Sequence, residues 1–183
     1  LSVPTAASAL VDYVLSQDGN ASVRSVNPVV GETNDGYLND IRGRHVKAEH
    51  IIEAITVAKD GKVEEGSVGA GSGTVCFGFK GGIGTSSRQL NGRLTEYSVG
   101  VLVEKKFEGD LKIDGIPFGE ISRRKQESKQ DDPSPDGSCM IIVATNAPLT
   151  NHQLKRLAKR AILGLARTGG IASNGSGDYV IAM

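Results

Sequence analysis

The residue with the clearest potential for chemistry is Ser138, which follows Gly137 and opens a run of apolar residues. A Gly-Ser bond is sterically open, so the serine hydroxyl can attack the carbonyl carbon that precedes it. Cleavage would leave Ser138 at a chain N-terminus, where an α-amine of pKa about 8 accepts the hydroxyl proton at physiological pH. By composition alone, a serine at the start of a strand remains the commoner meaning of this pattern.

Other reactive side chains favour structural roles. The three histidines, His45, His50 and His152, stand in charged surroundings without cysteines or carboxylates at metal-ligand spacing, so exposed or helix-capping roles are expected. Neither a metal site nor a histidine-based serine triad has support. Cys76 and Cys139 both lie in apolar runs, where cysteine acts as a small hydrophobic residue.

Composition excludes several partners. Lys plus Arg and Asp plus Glu both number 21, so no net field draws the chain to nucleic acid or to an anionic membrane. No run approaches the roughly 18 apolar residues of a membrane span. The glycine-rich stretch 66–73 leads into a strand rather than a helix, contrary to a dinucleotide-binding loop. A cytoplasmic protein with a small, neutral substrate is expected.

The elements that must position Ser138 are mixed helices and strands, which predicts an α/β fold in one domain, 1–183. A polar linker is predicted from Ser122 to Pro135, and a strand follows it. A capping-box pair, Thr150 and Gln153, begins the most amphipathic helix. Further helices are predicted at 5–17 and 47–59. Strands are predicted at 26–30, 74–79, 97–104, 111–116 and 140–144, and the strands 97–104 and 111–116 are expected to pair. A turn is predicted at 80–88.

Several ordered motifs resemble the DmpA-type aminopeptidases, the L-aminopeptidase/D-amino-acid esterase and β-peptidyl aminopeptidase family. The resemblance runs through nearly the whole chain in long uninterrupted matches. The matching segments are Glu-Thr-x-Asp-Gly from Glu32, Gly-Ala-Gly-x-Gly from Gly69, Cys-x-Gly-Phe-Lys-Gly-Gly-Ile-Gly-Thr from Cys76, Val-Gly-Val-Leu-Val from Val99, Asp-Gly-Ser from Asp136, and Ser-Asn-Gly-Ser-Gly-Asp from Ser173.

The resemblance implies a four-layer αββα sandwich in which two mixed sheets lie between helix layers. It implies self-cleavage between Gly137 and Ser138 into an α part, 1–137, and a β part, 138–183. Such proteins release N-terminal residues from small peptides, amides or esters without a metal or organic cofactor, and a homo-oligomer of α/β heterodimers is expected. The sequence resembles the middle portion of a longer family chain.

The resemblance also assigns roles to individual residues. Ser138 would be the nucleophile, and Ser176 and Asp178 would orient and tune the new α-amine. Glu32 matches the carboxylate that holds the substrate's ammonium group, a charge-assisted contact.

Two positions depart from the family pattern. Asn34 replaces an aromatic residue, and Lys106 stands where an asparagine is thought to stabilise the oxyanion. These departures leave open a non-catalytic homologue on the same scaffold. An acyltransferase, which passes the acyl group to an amine rather than to water, is a further alternative.

Overall fold

A computed structural model of the chain describes residues 2–107, 109–125 and 137–183. The chain divides into two compact units. One contains Leu1–Glu32 and Asn39–Val63, and the other contains Thr33–Leu38 and Glu64–Met183. The predicted linker begins at Ser122, but residues 122–125 end a helix that spans Phe118–Lys125, so that part of the prediction is wrong. The rest of the linker, 126–135, lies outside the described ranges.

The first unit is built on two helices, α1 (Val3–Ser16) and α2 (Ala48–Thr56), which pack against each other. At the start of α2, Nδ1 of His50 accepts the backbone N–H of Lys47 at 3.1 Å, so the expected capping role of this histidine is confirmed. The strand predicted at 26–30 is absent, and that prediction is wrong. Pro28 has no N–H for a ladder, and Val29 is 74% exposed.

The second unit contains the sheet that carries Ser138. The α-helices in the described part of this unit are α3 (Phe118–Lys125) and α4 (Asn151–Arg167). The strands in the described part of this unit are β1 (Val75–Cys76), β2 (Phe79–Lys80), β3 (Ile83–Gln89), β4 (Ser98–Lys106), β5 (Lys112–Ile113), β6 (Ile116–Pro117), β7 (Ser138–Thr145) and β8 (Gly177–Ala182).

Four strands form one mixed sheet in the order β3-β4-β7-β8. The β3-β4 and β4-β7 pairs are antiparallel, and β7 and β8 are parallel. A parallel pair needs a crossover connection, and α4 lies in the chain between β7 and β8. Ser138 is the first residue of β7 and therefore lies in a central strand.

Two sequence predictions about this sheet are wrong. The stretch predicted as a turn at 80–88 contains most of β3, a polar strand that only its pairing with β4 identifies. Residues 111–116 do not pair with β4. They form the small β5-β6 hairpin, whose turn residues Asp114 and Gly115 have φ values of 50° and 81°. An Asp-Gly pair is suited to such a turn because both positions need a positive φ.

The core lies on one face of the sheet, against α4. Cys139, Ile141 and Val143 alternate along β7 and are buried, as is Leu165 of α4. The predicted capping box is confirmed, because the Thr150 N–H donates to Oε1 of Gln153 at 2.7 Å.

The chain has the expected α/β character. Among residues 2–107, 109–125 and 137–183, no helix is both long and apolar enough to cross a bilayer.

Candidate active site

Two neighbouring rows of directly paired residues, called rungs below, position the residues of the site. In the first, Ser138 pairs with Lys106 of β4 on one side and with Gly177 of β8 on the other. Directly paired residues present their side chains on the same face, so Lys106 and Ser138 share a face. The sheet thus brings together two predicted site residues that are distant in sequence.

The peptide bond before Ser138 is held by the same pairing. Gly137 is buried, and its carbonyl oxygen accepts the backbone N–H of Gly177 at 3.0 Å. A hydrogen bond to this oxygen polarises the carbonyl and would stabilise the negative charge that develops there during nucleophilic attack.

The residues around Gly137 leave almost no space for a side chain. A Cβ at this position would lie 3.1 Å from Oγ of Ser176 and 3.1 Å from the ring of Phe107. Phe107 is only 2% exposed and packs on Phe77 with a centroid distance of 6.0 Å. Gly137, which precedes the bond to Ser138, therefore packs beside the buried Phe107 ring and the Ser176 hydroxyl.

Ser176 and Asp178 form the predicted pair. Oγ of Ser176 donates to Oδ2 of Asp178 at 2.8 Å. Since the proton of Ser176 points to the carboxylate, the lone pairs of Oγ remain acceptors for another donor. Oδ1 of Asp178 is buried and has no hydrogen-bond partner in the described part of the chain. A buried carboxylate oxygen without a partner is costly, which marks this position for a further donor.

The second rung lies on the opposite face and behaves differently. Cys139 pairs with Lys105 and Asp178 and is 0% exposed. Burial, followed by the nearby Asp178 carboxylate, raises the pKa of the Cys139 thiol to about 12. Burial also raises the pKa of Cys76. Both cysteines are buried thiols, as the sequence predicted, and neither is poised as a nucleophile.

The segment that contains Asn34, the other departure from the family pattern, is anchored to the sheet through Thr33. Thr33 is 6% exposed, and its hydroxyl donates to Oε1 of Glu104 at 2.7 Å. Glu104 lies two residues before Lys106, on the same face of β4. The next residue, Asn34, is exposed, and its side-chain oxygen accepts the backbone N–H of Gly36 at 2.9 Å, which closes a local turn.

Glu32 belongs to the first compact unit. Its Oε2 accepts the backbone N–H of Ser2 at 3.2 Å. Its predicted role as a ligand for the substrate's ammonium group stays a prediction.

Sequence reasoning missed the backbone donor. The sequence motif gives Gly177 no separate role, and no local pattern predicts which carbonyl oxygen accepts its N–H. That partner is set by the parallel register of β7 and β8, two strands that are separated by a helix in the chain.

Comparison with known proteins identifies the relatives of this chain. The model of peptidase family S58 matches residues 1–183. A β-peptidyl aminopeptidase, BapA, from Sphingosinicella microcystinivorans is 48% identical over 168 residues, which cover 85% of this chain and 42% of the relative.

Comparison with solved structures also identifies an aminopeptidase among the similar proteins. The PH0078 protein from Pyrococcus horikoshii OT3 is 51% identical with a TM-score of 0.86. An L-aminopeptidase D-Ala-esterase/amidase from Ochrobactrum anthropi, described as a variant of the Ntn hydrolase fold, is 34% identical with a TM-score of 0.80. Each match covers 99% of this chain and 50% of the solved chain. The chain thus spans about half the length of these relatives.

Proposed function

Because this chain belongs to peptidase family S58, we propose that the protein containing it is an aminopeptidase that generates its own N-terminal serine nucleophile, Ser138. The observation that carries the proposal is the hydrogen bond from the Gly177 N–H to the Gly137 carbonyl, directly before a serine and beside the Ser176-Asp178 pair. The carbonyl that Ser138 would attack is thus polarised by a backbone donor and has the oriented Ser176 hydroxyl beside it.

Self-cleavage begins with attack by Oγ of Ser138 on the carbonyl carbon of Gly137. The Gly177 N–H stabilises the resulting oxyanion. The bond between that carbon and the nitrogen of Ser138 then breaks, the nitrogen takes the proton of the hydroxyl, and an ester links Gly137 to Oγ. Water hydrolyses the ester, which leaves a carboxylate on Gly137 and a free α-amine on Ser138.

The Ser176-Asp178 pair suits the group that cleavage creates. An amide nitrogen has one N–H, whereas a protonated α-amine has three. Oγ of Ser176 would lie 3.1 Å from a Cβ on Gly137 and is an acceptor close to the cleaved bond. Asp178 accepts the proton of Ser176, and its Oδ1 has no hydrogen-bond partner among the described residues. In its neutral form the amine then serves as the base that takes the Ser138 proton during substrate attack.

The two products of cleavage stay together in this proposal. β7 begins at Ser138 and pairs with β4 along its whole length, from Ser138 opposite Lys106 to Thr145 opposite Val99. That antiparallel ladder and the core contacts to α4 do not depend on the Gly137-Ser138 bond. The α part, 1–137, and the β part, 138–183, therefore stay joined through the pairing of β4 with β7.

Substrate cleavage follows the same chemistry with an external carbonyl. Ser138 forms an acyl-enzyme, and Lys106, which shares its rung, donates to the oxyanion in place of the family's asparagine. The printed names of the relatives support small peptides, amino-acid amides or esters as the substrate class.

The test uses the full-length protein and its Ser138→Ala variant. We expect intact mass and N-terminal sequencing to show a chain that begins Ser-Cys-Met-Ile-Ile in the wild type and one uncut, inactive chain in the variant. Ser98→Ala is the matched control, because Ser98 also opens a strand of this sheet and is exposed. An uncut wild type that hydrolyses no aminoacyl amide or ester would overturn the proposal.

A further inference from the structure

Gly177 leaves a gap beside the proposed nucleophile. A Cβ placed on Gly177 would lie 3.6 Å from Oγ of Ser138 and 3.6 Å from Cε2 of Tyr179. Both distances are ordinary van der Waals separations, so a space of about one methyl group over Gly177 borders both the serine hydroxyl and the tyrosine ring.

Tyr179 lies on the same face of the sheet as Ser138. It pairs with Met140, two residues along β7 from Ser138, and its ring leans back over Gly177. The residue is 64% exposed although it is a large aromatic in a strand. Cε2 of the ring thus borders the space over the glycine, while most of the side chain is exposed.

We propose that the Tyr179 ring and the gap over Gly177 form the recognition site for the side chain of the substrate's N-terminal residue, and that this residue is apolar. This inference rests on the proposed function. An acyl group bonded to Oγ of Ser138 carries its Cα about 2.4 Å and its side-chain carbons about 4 Å from that oxygen. Those carbons fall within the gap and reach the ring.

The Tyr179 ring determines which class of substrate side chain the site would bind. An exposed aromatic face binds aliphatic and aromatic groups by removing apolar surface from water, and the negative potential of the face disfavours an anionic side chain. Met140, the partner of Tyr179 on β7, adds a second apolar side chain to the same face. Leucyl and phenylalanyl substrates should therefore exceed glycyl substrates in kcat/KM.

A purely structural role for the ring makes a different prediction. Aromatic side chains can shield a glycine in a strand, and removing the ring would then lower stability without altering selectivity. The ratio of kcat/KM for leucyl and glycyl p-nitroanilides separates the two roles, because a general loss of active protein cancels in that ratio.

The experiment compares four variants of the full-length protein. Tyr179→Ala is expected to lower the leucyl-to-glycyl ratio about tenfold, mainly through KM, while Tyr179→Phe stays within about twofold of wild type because it keeps the ring. Gly177→Ala should lower the ratio to a similar extent, since its methyl group fills the gap while the backbone N–H is retained. Leu163→Ala, an exposed apolar truncation on α4, is the matched control.

The outcomes divide cleanly. A ratio that is unchanged in both Tyr179→Ala and Gly177→Ala, or a wild type that prefers glycyl substrates, would overturn this inference and leave the proposed function standing. A wild type without activity on any of these substrates would overturn both. If Tyr179→Ala fails to fold, Gly177→Ala alone decides.

Discussion

Ser138 and Cys139 are neighbours in the chain, yet they occupy opposite faces of the same strand. A thiol is the better nucleophile in water, but Cys139 is 0% exposed and its pKa is raised to about 12. Ser138 is only half-buried, follows a carbonyl polarised by Gly177, and shares its rung with Lys106. Surroundings rather than intrinsic reactivity therefore decide which of the two residues can react.

The two rungs also differ in what surrounds them. The Lys106-Ser138-Gly177 rung has a cation, a hydroxyl and an open gap on its face. In the other rung the thiol of Cys139 is packed between strands and helix as part of the core. One register of pairing thus places the proposed nucleophile in one rung and the buried thiol, with the Asp178 carboxylate, in the next.

The largest expected effect separates the two neighbours directly. Ser138→Ala should abolish self-cleavage and lower kcat by at least about 10³-fold, because the nucleophile is lost. Cys139→Ala should retain cleavage and lose no more than about threefold in kcat. Intact mass and steady-state rates measure both, and a dead Cys139→Ala variant that still folds would contradict the comparison.

The Asp178→Asn variant tests the carboxylate that accepts the hydrogen bond of the Ser176 hydroxyl. The Ser176 hydroxyl would lose a charged acceptor and the new amine its counter-charge, so we expect kcat to fall by roughly 10²- to 10³-fold. The steady-state pH profile of the processed enzyme is the second readout. A variant with wild-type kcat would remove Asp178 from the proposed machinery.

Lys106 and Lys105 form a matched pair on opposite faces of β4. Lys106→Met should lower kcat by about 10²-fold if its ammonium stabilises the oxyanion, whereas Lys106→Asn should restore an equivalent donor and stay within a few fold. Lys105→Met removes an ammonium that lies 4.9 Å from the Phe77 ring, and it should leave kcat within a few fold. Equal losses for Lys105→Met and Lys106→Met would contradict the assignment to one face.

Gly137→Ala should slow self-cleavage about tenfold. The added methyl group would press on the Phe107 ring and on Oγ of Ser176 at 3.1 Å, so the scissile carbonyl must shift from the Gly177 N–H. The half-time of precursor conversion measures this effect. Gly164→Ala, where an added Cβ meets nothing within 4 Å, is the control and should process at the wild-type rate.

The smallest effect concerns the thiol and pH. The pKa of Cys139 is raised from 9.0 to about 12, so the unfolded state loses this proton first as pH rises. The associated stability is intact below pH 9 and falls by about 1.4 kcal/mol per pH unit above it, up to the folded pKa. Urea unfolding at pH 8 and pH 10.5 should therefore show about 2 kcal/mol more loss in wild type than in Cys139→Ala. An equal loss in both proteins would contradict the buried-thiol assignment.

Local sequence signals predicted the elements with strong periodicity or capping. Helix α4 follows from its apolar stripe and its Thr150-Gln153 cap, and β7 follows from its β-branched run. Strand β3 was predicted as a turn because its serines and arginine have no alternating apolar pattern. It is a strand because its backbone pairs with β4. The strand predicted at 26–30 failed for the opposite reason, since an apolar pattern without a pairing partner makes no ladder.

For the site, the sequence by itself determined which reactive groups exist and which family they belong to. The resemblance to the family proposes roles for Ser138, Ser176 and Asp178 and marks Lys106 as a departure from the family pattern. Ser176 and Asp178 are expected on one face because residues two apart in an extended segment share a face. These are local properties, so the sequence carries them directly.

Only the tertiary structure decided how those groups meet. The pairing of Ser138 with Lys106 and with Gly177, and the hydrogen bond from Gly177 to the Gly137 carbonyl, follow from strand registers set by packing across the whole sheet. A slip of one residue would exchange the two rungs and place Cys139 on the open face and Ser138 in the core. The register is held by the burial of Cys139, Ile141 and Val143 against α4, which is why the inert face of β7 determines the position of the reactive one.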